Sequence, residues 1–180
     1  SFVNTTAGVM DYEQPYISNS TEAWRGFRDL GRAWVAMGKR RGDADLTARG
    51  EAMMGEADVL REDVYRAVDR SVLQDRDMPY LPLIAGSKAY HLDAPYRSRP
   101  ESFDENRVWS EMMHSGMVRK ETVDLMMDYC AAHNGLQMGI FTNRELIVAF
   151  ECYGEAYGLL QHDMIGEFLL FYYTHAFHLH

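Results

Sequence analysis

The chain has 180 residues, 27 of them acidic and 18 basic, for a formal net charge of −9. That length suits one domain, and 47% hydrophobic residues can bury a substantial core. The negative charge repels phosphate backbones and anionic lipid, which argues against a nucleic-acid partner, and no unbroken apolar run approaches the roughly 20 residues of a membrane span.

Residues 1–18 lack periodicity and contain Gly8 and Pro15, so they read as loop. Asn19 and Glu22, three apart, form an N-terminal capping signature. Trp24, Phe27, Leu30, Trp34 and Met37 follow at spacings of three and four, on one helical face. Gly38 ends that helix with Lys39, Arg40 and Arg41, cations that suit its negative dipole end. Asp43 caps a second helix with Leu46, Met53, Leu60, Val64, Ala67 and Leu73 on its inner side. The second helix would run about 45 Å, with Gly50 and Gly55 weakening its middle.

From 74 to 104 the pattern fails, and four of the five prolines fall there. Met78 to Ala85 reads as a short extended stretch. Tyr80, Tyr90, His91, Tyr96 and Phe103 are too aromatic for plain disorder, so an ordered loop is expected. Ser102 and Glu105 form a second capping box before a short helix with Val108, Trp109, Met112 and Met113 inward, ended by Gly116. The next helix carries Val123, Met126, Met127, Cys130 and Ala131, and stops at the turn dipeptide Asn134-Gly135. Thr142 and Glu145 make a third capping box. The fifth helix reaches about Tyr157, and Gly158 with a tight turn leads into a sixth from Gln161.

The expected fold is therefore all-α: one domain of three antiparallel helical hairpins, at about 19–73, 102–134 and 142–180, with the long ordered loop 74–104 between the first two. Cys130 and Cys152, both within helical patterns, make neither a disulfide framework nor a zinc site. The start at Ser1 and the end at His180, inside an apolar pattern, read as cut ends, so the remainder of a larger parent chain is an expected partner and localisation stays open. Asn4-Thr5-Thr6 and Asn19-Ser20-Thr21 fit the glycosylation sequon.

Chemistry has several candidate seats. Asp11 and Glu13 lie among Tyr12, Gln14, Pro15 and Tyr16. Carboxylates interleaved with aromatics suit sugar chemistry, because acids protonate a glycosidic oxygen or activate water and aromatic faces stack on pyranose rings. A solvated acidic loop is the plainer alternative. Glu151 and Glu155, four apart alongside Tyr153 and Tyr157, put two acids on one helical face, able to shift a pKa if buried and otherwise simply the outer face. Asp104 and Glu105 suit capping. Glu111 and His114 form a single E-x-x-H, whereas a di-iron bundle needs that motif twice. His175, His178 and His180 do not share one helical face well. One E-x-x-H and a histidine cluster at the chain end do not make a metal site, so no metal is expected; no cofactor is expected either, and nucleotide-binding and serine-hydrolase motifs are lacking.

The segment Tyr16-Ile17-Ser18-Asn19-Ser20, followed by Ala23-Trp24-Arg25-Gly26-Phe27-Arg28-Asp29-Leu30, resembles an inner-helix start in the six-hairpin, (α/α)6-toroid glycosidase superfamily. Tyr153-Gly154-Glu155-Ala156-Tyr157-Gly158-Leu159-Leu160, with Glu167-Phe168-Leu169-Leu170, is similar to another hairpin of such toroids. Three hairpins would be half of a ring of six. The resemblance implies saccharide ligands in a funnel lined by loops at one end of the inner helices. Asp11, Glu13 and Tyr16 would fall on such a loop, and so would Asn134 and Gln137. Asp11 or Glu13 would take the acid/base role and Tyr16 would stack, while Arg25 and Gln137 would bind hydroxyls. The alternative expectation is a non-catalytic helical-hairpin module that binds a protein partner on its concave face.

Overall fold

A computed structural model of the chain describes residues 15–90, 105–142, 147 and 152–178. Among the described residues the fold is all-α apart from one two-stranded hairpin. Helix α1 spans Ile17–Arg41 and α2 spans Ala44–Ser71. Tyr16 stands at the N-cap of α1 without a side-chain cap bond, so the Asn19–Glu22 capping signature is not used as such. Asn19 already lies in the first turn, and Glu22 is engaged elsewhere. The helix runs past Gly38 to Arg41 and closes where Gly42 turns left-handed (φ 68°) and the Asp43 N–H reaches back to the Gly38 carbonyl at 2.9 Å. Asp43 then caps α2, accepting from the Leu46 N–H at 2.9 Å. The 28 residues of α2 make it about 42 Å long.

Glycines bring these two antiparallel helices together. A Cβ on Gly50 would stand 2.6 Å from the Gly31 carbonyl oxygen, and one on Gly38 would stand 2.7 Å from the Thr47 nitrogen. Gly50 is thus a contact point rather than a weakness, and Gly38 is no stop signal.

The chain after α2 is extended and held by backbone pairing. Leu73 and Tyr80 exchange hydrogen bonds of 2.8 and 3.1 Å, and the Ile17 N–H donates to the Leu83 carbonyl at 3.0 Å. Tyr80, Leu81, Pro82 and Leu83 are buried, which fixes this part of the expected loop; its remainder, 91–104, with Ser102 of the second capping box, lies outside the described residues. Helix α3 spans Glu105–Ser115 and ends at left-handed Gly116; α4 spans Lys120–Ala132. At the end of α4, Asn134 takes a left-handed conformation (φ 58°) and the Gly135 N–H bonds the Cys130 carbonyl at 2.7 Å.

A β-hairpin follows that the helical reading did not anticipate. Strands β1 (Leu136–Gln137) and β2 (Ile140–Phe141) pair Leu136 with Phe141 and Gln137 with Ile140. Met138 and Gly139 both have positive φ, the signature of a two-residue turn whose twist matches the strands. Among the described residues, α5 spans Tyr153–Gln161 and Ile147 is not helical, while Glu145 of the expected third capping box lies outside them. The helix continues through Gly158, and after a turn at 162–164 comes α6, Ile165–His178.

In space, α1 packs on α2, α5 on α6, and α3 lies between α1 and α5 rather than chiefly against α4. The odd-numbered helices therefore form one layer. Gly154 meets Ser110, Gly158 meets Met113, and Gln161 donates to the Gly116 carbonyl, so α3 and α5 run the same way. The stretch 80–83 touches both Ile17 and Trp109, while His114 meets Glu22 and Arg25 further along, so α1 and α3 run the same way too. Trp109 in turn touches Phe141, which bonds α5. All three helices of the layer begin at the same end.

Candidate functional site

One face of this layer carries a strip of charged and aromatic side chains. On α1, Glu22, Arg25 and Asp29 recur at three and four, roughly half a turn from the Gly31–Gly38 seam against α2. On α3, Arg107, Glu111 and His114 recur at four and three, away from the buried Trp109, Met112 and Met113. On α5 the strip is completed by Tyr153 and Tyr157, 50% and 44% exposed. These helical spacings are why three distant stretches of sequence converge.

His114 is the hub. Arg25 Nη1 lies 2.7 Å from its Nε2 and also donates to its carbonyl at 2.6 Å. A guanidinium only donates, so Nε2 accepts, and the ring is the tautomer whose Nδ1–H donates to Glu22 Oε1 at 2.9 Å. Tyr153 and Tyr157 meet the imidazole in T-shaped contacts at centroid distances of 4.8 and 5.9 Å, and the Arg25 guanidinium stands 5.6 Å from the Tyr157 ring centre. Arg107 donates to Glu111 at 2.5 Å. Partial burial, followed by the Glu111 and Glu22 carboxylates, raises the Tyr153 phenol above its ordinary value of 10.0. Tyr153 therefore stays a hydrogen-bond donor at neutral pH. At the edge of the strip the Asp29 carboxyl is held below its usual 3.8, first by the hydrogen bond from Arg28 and then by the nearby guanidinium charges. The strip thus joins fixed donors and fixed acceptors to two half-exposed tyrosine rings.

Of the residues singled out in the sequence, Arg25 lies at the centre of this strip. Asp11, Glu13 and Glu151 lie outside the described residues. Tyr16 is 1% exposed and paired by its backbone with Ile84, so its ring belongs to the core and has no free face for a sugar. Asn134 is exposed and ends α4, and Gln137 is exposed on β1. Neither reaches the strip. Their hairpin docks through Phe141 on Glu155, and Glu155 stands roughly 200° around α5 from both Tyr153 and Tyr157.

Glu155 therefore does not share the tyrosine face. It is 0% exposed: Oε2 accepts the Phe141 N–H at 3.1 Å, and Oε1 has no hydrogen-bond partner among the described residues. Loss of hydration pushes its pKa well above the ordinary 4.5, against the smaller downward pull of the Phe141 N–H. Around it, the Cys152 thiol lies 3.6 Å from the Phe141 carbonyl, and the Gly154 N–H donates to Ser110 Oγ at 3.0 Å. Both cysteines are buried and unbonded to one another.

Glu111 and His114 do share a face, but among the described residues no group of three or more His, Cys, Asp and Glu side chains could hold a metal ion. Sequence reasoning passed over Glu22 and Arg107, although Arg107-x-x-x-Glu111-x-x-His114 repeats at helical spacing and was legible as a polar stripe. Beside the strip, a groove of about 470 Å³ runs along α1, lined by Asn19, Glu22, Ala23, Gly26, Phe27, Leu30 and by Met53 of α2.

Compared with known proteins, the chain matches no family model, no curated protein and no solved structure.

Proposed function

We propose that the chain is a carbohydrate-active protein, glycoside hydrolase-like, which holds a saccharide against the strip on α1, α3 and α5. The observation that carries this reading is the placement of two half-exposed tyrosine rings beside the Glu22–His114–Arg25 network. Sugar rings offer apolar C–H faces and a rim of hydroxyls, which suits aromatic faces next to fixed carboxylates and guanidiniums. Asp11 and Glu13 are the proposed acid/base pair for glycosidic chemistry. The single layer of odd-numbered helices supports a portion of an (α/α) toroid.

The test is a thermal-shift screen of the chain against mono- and oligosaccharides. Ligand that binds only the folded form raises stability by about RT ln(1 + [L]/Kd), so a real site gives a saturable rise in Tm. Tyr157→Ala should abolish that rise without lowering the Tm of the free protein by more than a few degrees, because its ring is half exposed. Flat curves across the panel from a cooperatively melting protein would refute the reading. One feature favours a second reading, a non-catalytic hairpin module that binds a protein partner: α6 exposes Leu169, Leu170, Tyr172, Tyr173 and Phe177. Partner capture that survives Tyr157→Ala but not Tyr173→Asp would select it.

A further inference from the structure

The groove along α1 has no part in the saccharide reading, yet it adjoins the strip. Thr21 and Arg25 mark the side of α1 that faces α3; Gly26, Phe27 and Leu30 lie on the opposite flank, and Met53 forms the far wall. Its volume of about 470 Å³ falls within the range of roughly 300–1,000 Å³ typical of small-molecule sites. Its walls are apolar except at one end, where Asn19 and Glu22 stand.

Glu22 belongs to both features. Its carboxylate accepts the Nδ1–H of His114 on the strip, and the same side chain lines the mouth of the groove. A ligand with its polar part on the strip therefore passes Glu22 directly into an apolar slot. The slot is open at Gly26, where a Cβ would meet nothing within 4 Å.

We infer that the groove receives an apolar aglycone, so that the substrate class is a glycoside of a hydrophobic alcohol rather than a free sugar. This rests on the saccharide reading of the strip and extends it. Each methylene moved from water into the groove is worth roughly fourfold in affinity. An open groove covers only part of a chain, so a hexyl glycoside should bind about tenfold or more tighter than the methyl glycoside.

The experiment is calorimetric titration of the chain with methyl and hexyl glycosides of glucose, galactose and mannose, and with 1-hexanol alone. Gly26→Leu is the matched variant: it fills the groove, and it suits a helix interior better than glycine does. The expected result is a hexyl preference of about tenfold in the wild type that falls to within about twofold in Gly26→Leu, with methyl glycoside affinity unchanged. If sugars bind but the hexyl chain adds nothing, the aglycone inference fails and the saccharide reading stands. If no glycoside binds, both fall. Hexanol binding with the same affinity as hexyl glycoside would make the groove an independent apolar site and overturn the inference. So would sedimentation showing a dimer that Gly26→Leu dissociates, because the occupant would then be a second copy.

Discussion

Burial of the Glu155 carboxyl favours its neutral form, because it strips the hydration that a charge needs. The linkage has a definite sign. Its folded pKa lies above the ordinary 4.5, so folding binds a proton that the unfolded chain gives up more readily. The stability it contributes is fully present below about pH 4.5 and is lost as pH rises towards the folded value. Glu155→Gln removes that titration while keeping an oxygen to accept the Phe141 N–H. Urea midpoints measured from pH 4 to 9 should therefore fall for the wild type relative to the Gln variant, and parallel curves would contradict this account. Glu155→Ala leaves a void and an unbonded N–H, and should cost about 2–4 kcal/mol by urea denaturation. The sequence placed Glu155 four residues from Glu151 on an apolar helix, and so raised the question of burial. It could not answer it, because what encloses Glu155 includes a hairpin whose bonding residue lies fourteen positions earlier. Tyr16 was misread for the same reason. A Tyr-Pro loop looks exposed until the strand-like stretch at 80–84 is laid across it.

Helices were legible wherever apolar spacing was strong, as in α1, α2 and the start of α4. Their ends were not, and the reason is the dual nature of glycine. Gly38 and Gly158 look like stops in a linear reading, but both are positions where a neighbouring element comes too close for a Cβ. The same property gives a paired prediction. At Gly154 a Cβ would stand 1.8 Å from the Ser110 carbonyl oxygen, so Gly154→Ala must separate α3 from α5. It should cost at least about 3 kcal/mol, since neither backbone can yield cheaply. At Gly55 nothing lies within 4 Å, so Gly55→Ala should gain about 0.5–1 kcal/mol in the same thermal and urea melts. A result of equal sign at the two sites would undo the close-packing account. The hairpin at 136–141 was missed because its turn is Met-Gly rather than Asn-Gly, and its strands are two residues each.

Taken whole, the chain is a layer of α1, α3 and α5 with α2 and α6 packed against its ends. The expectation of paired helices held for α1 with α2 and α5 with α6, where connections are short. It was less informative for α3, whose main neighbours are the other odd-numbered helices, because sequence adjacency says nothing about the next nearest element. The outermost helix is unusual. On α6, only Phe171 and Thr174 among the described side chains are buried, whereas Phe177 is 79% exposed. Such a face should bind a hydrophobic dye such as ANS in the native state, and Tyr173→Asp with Phe177→Asp should lower the fluorescence at least about twofold without lowering the Tm. Unchanged fluorescence would locate the sticky surface elsewhere.

The shared starting end of the odd-numbered helices carries a consequence for how such a protein can change over time. Every stretch that leads into one of them arrives at that end, whatever its length, while the glycine seams that lock the frame lie along the helix shafts. The described parts of those approaches are buried against the helix starts, as at Tyr80, Leu83 and Phe141, and the strip shares its helices with the glycine seams, so frame and recognition surface are bound to change together.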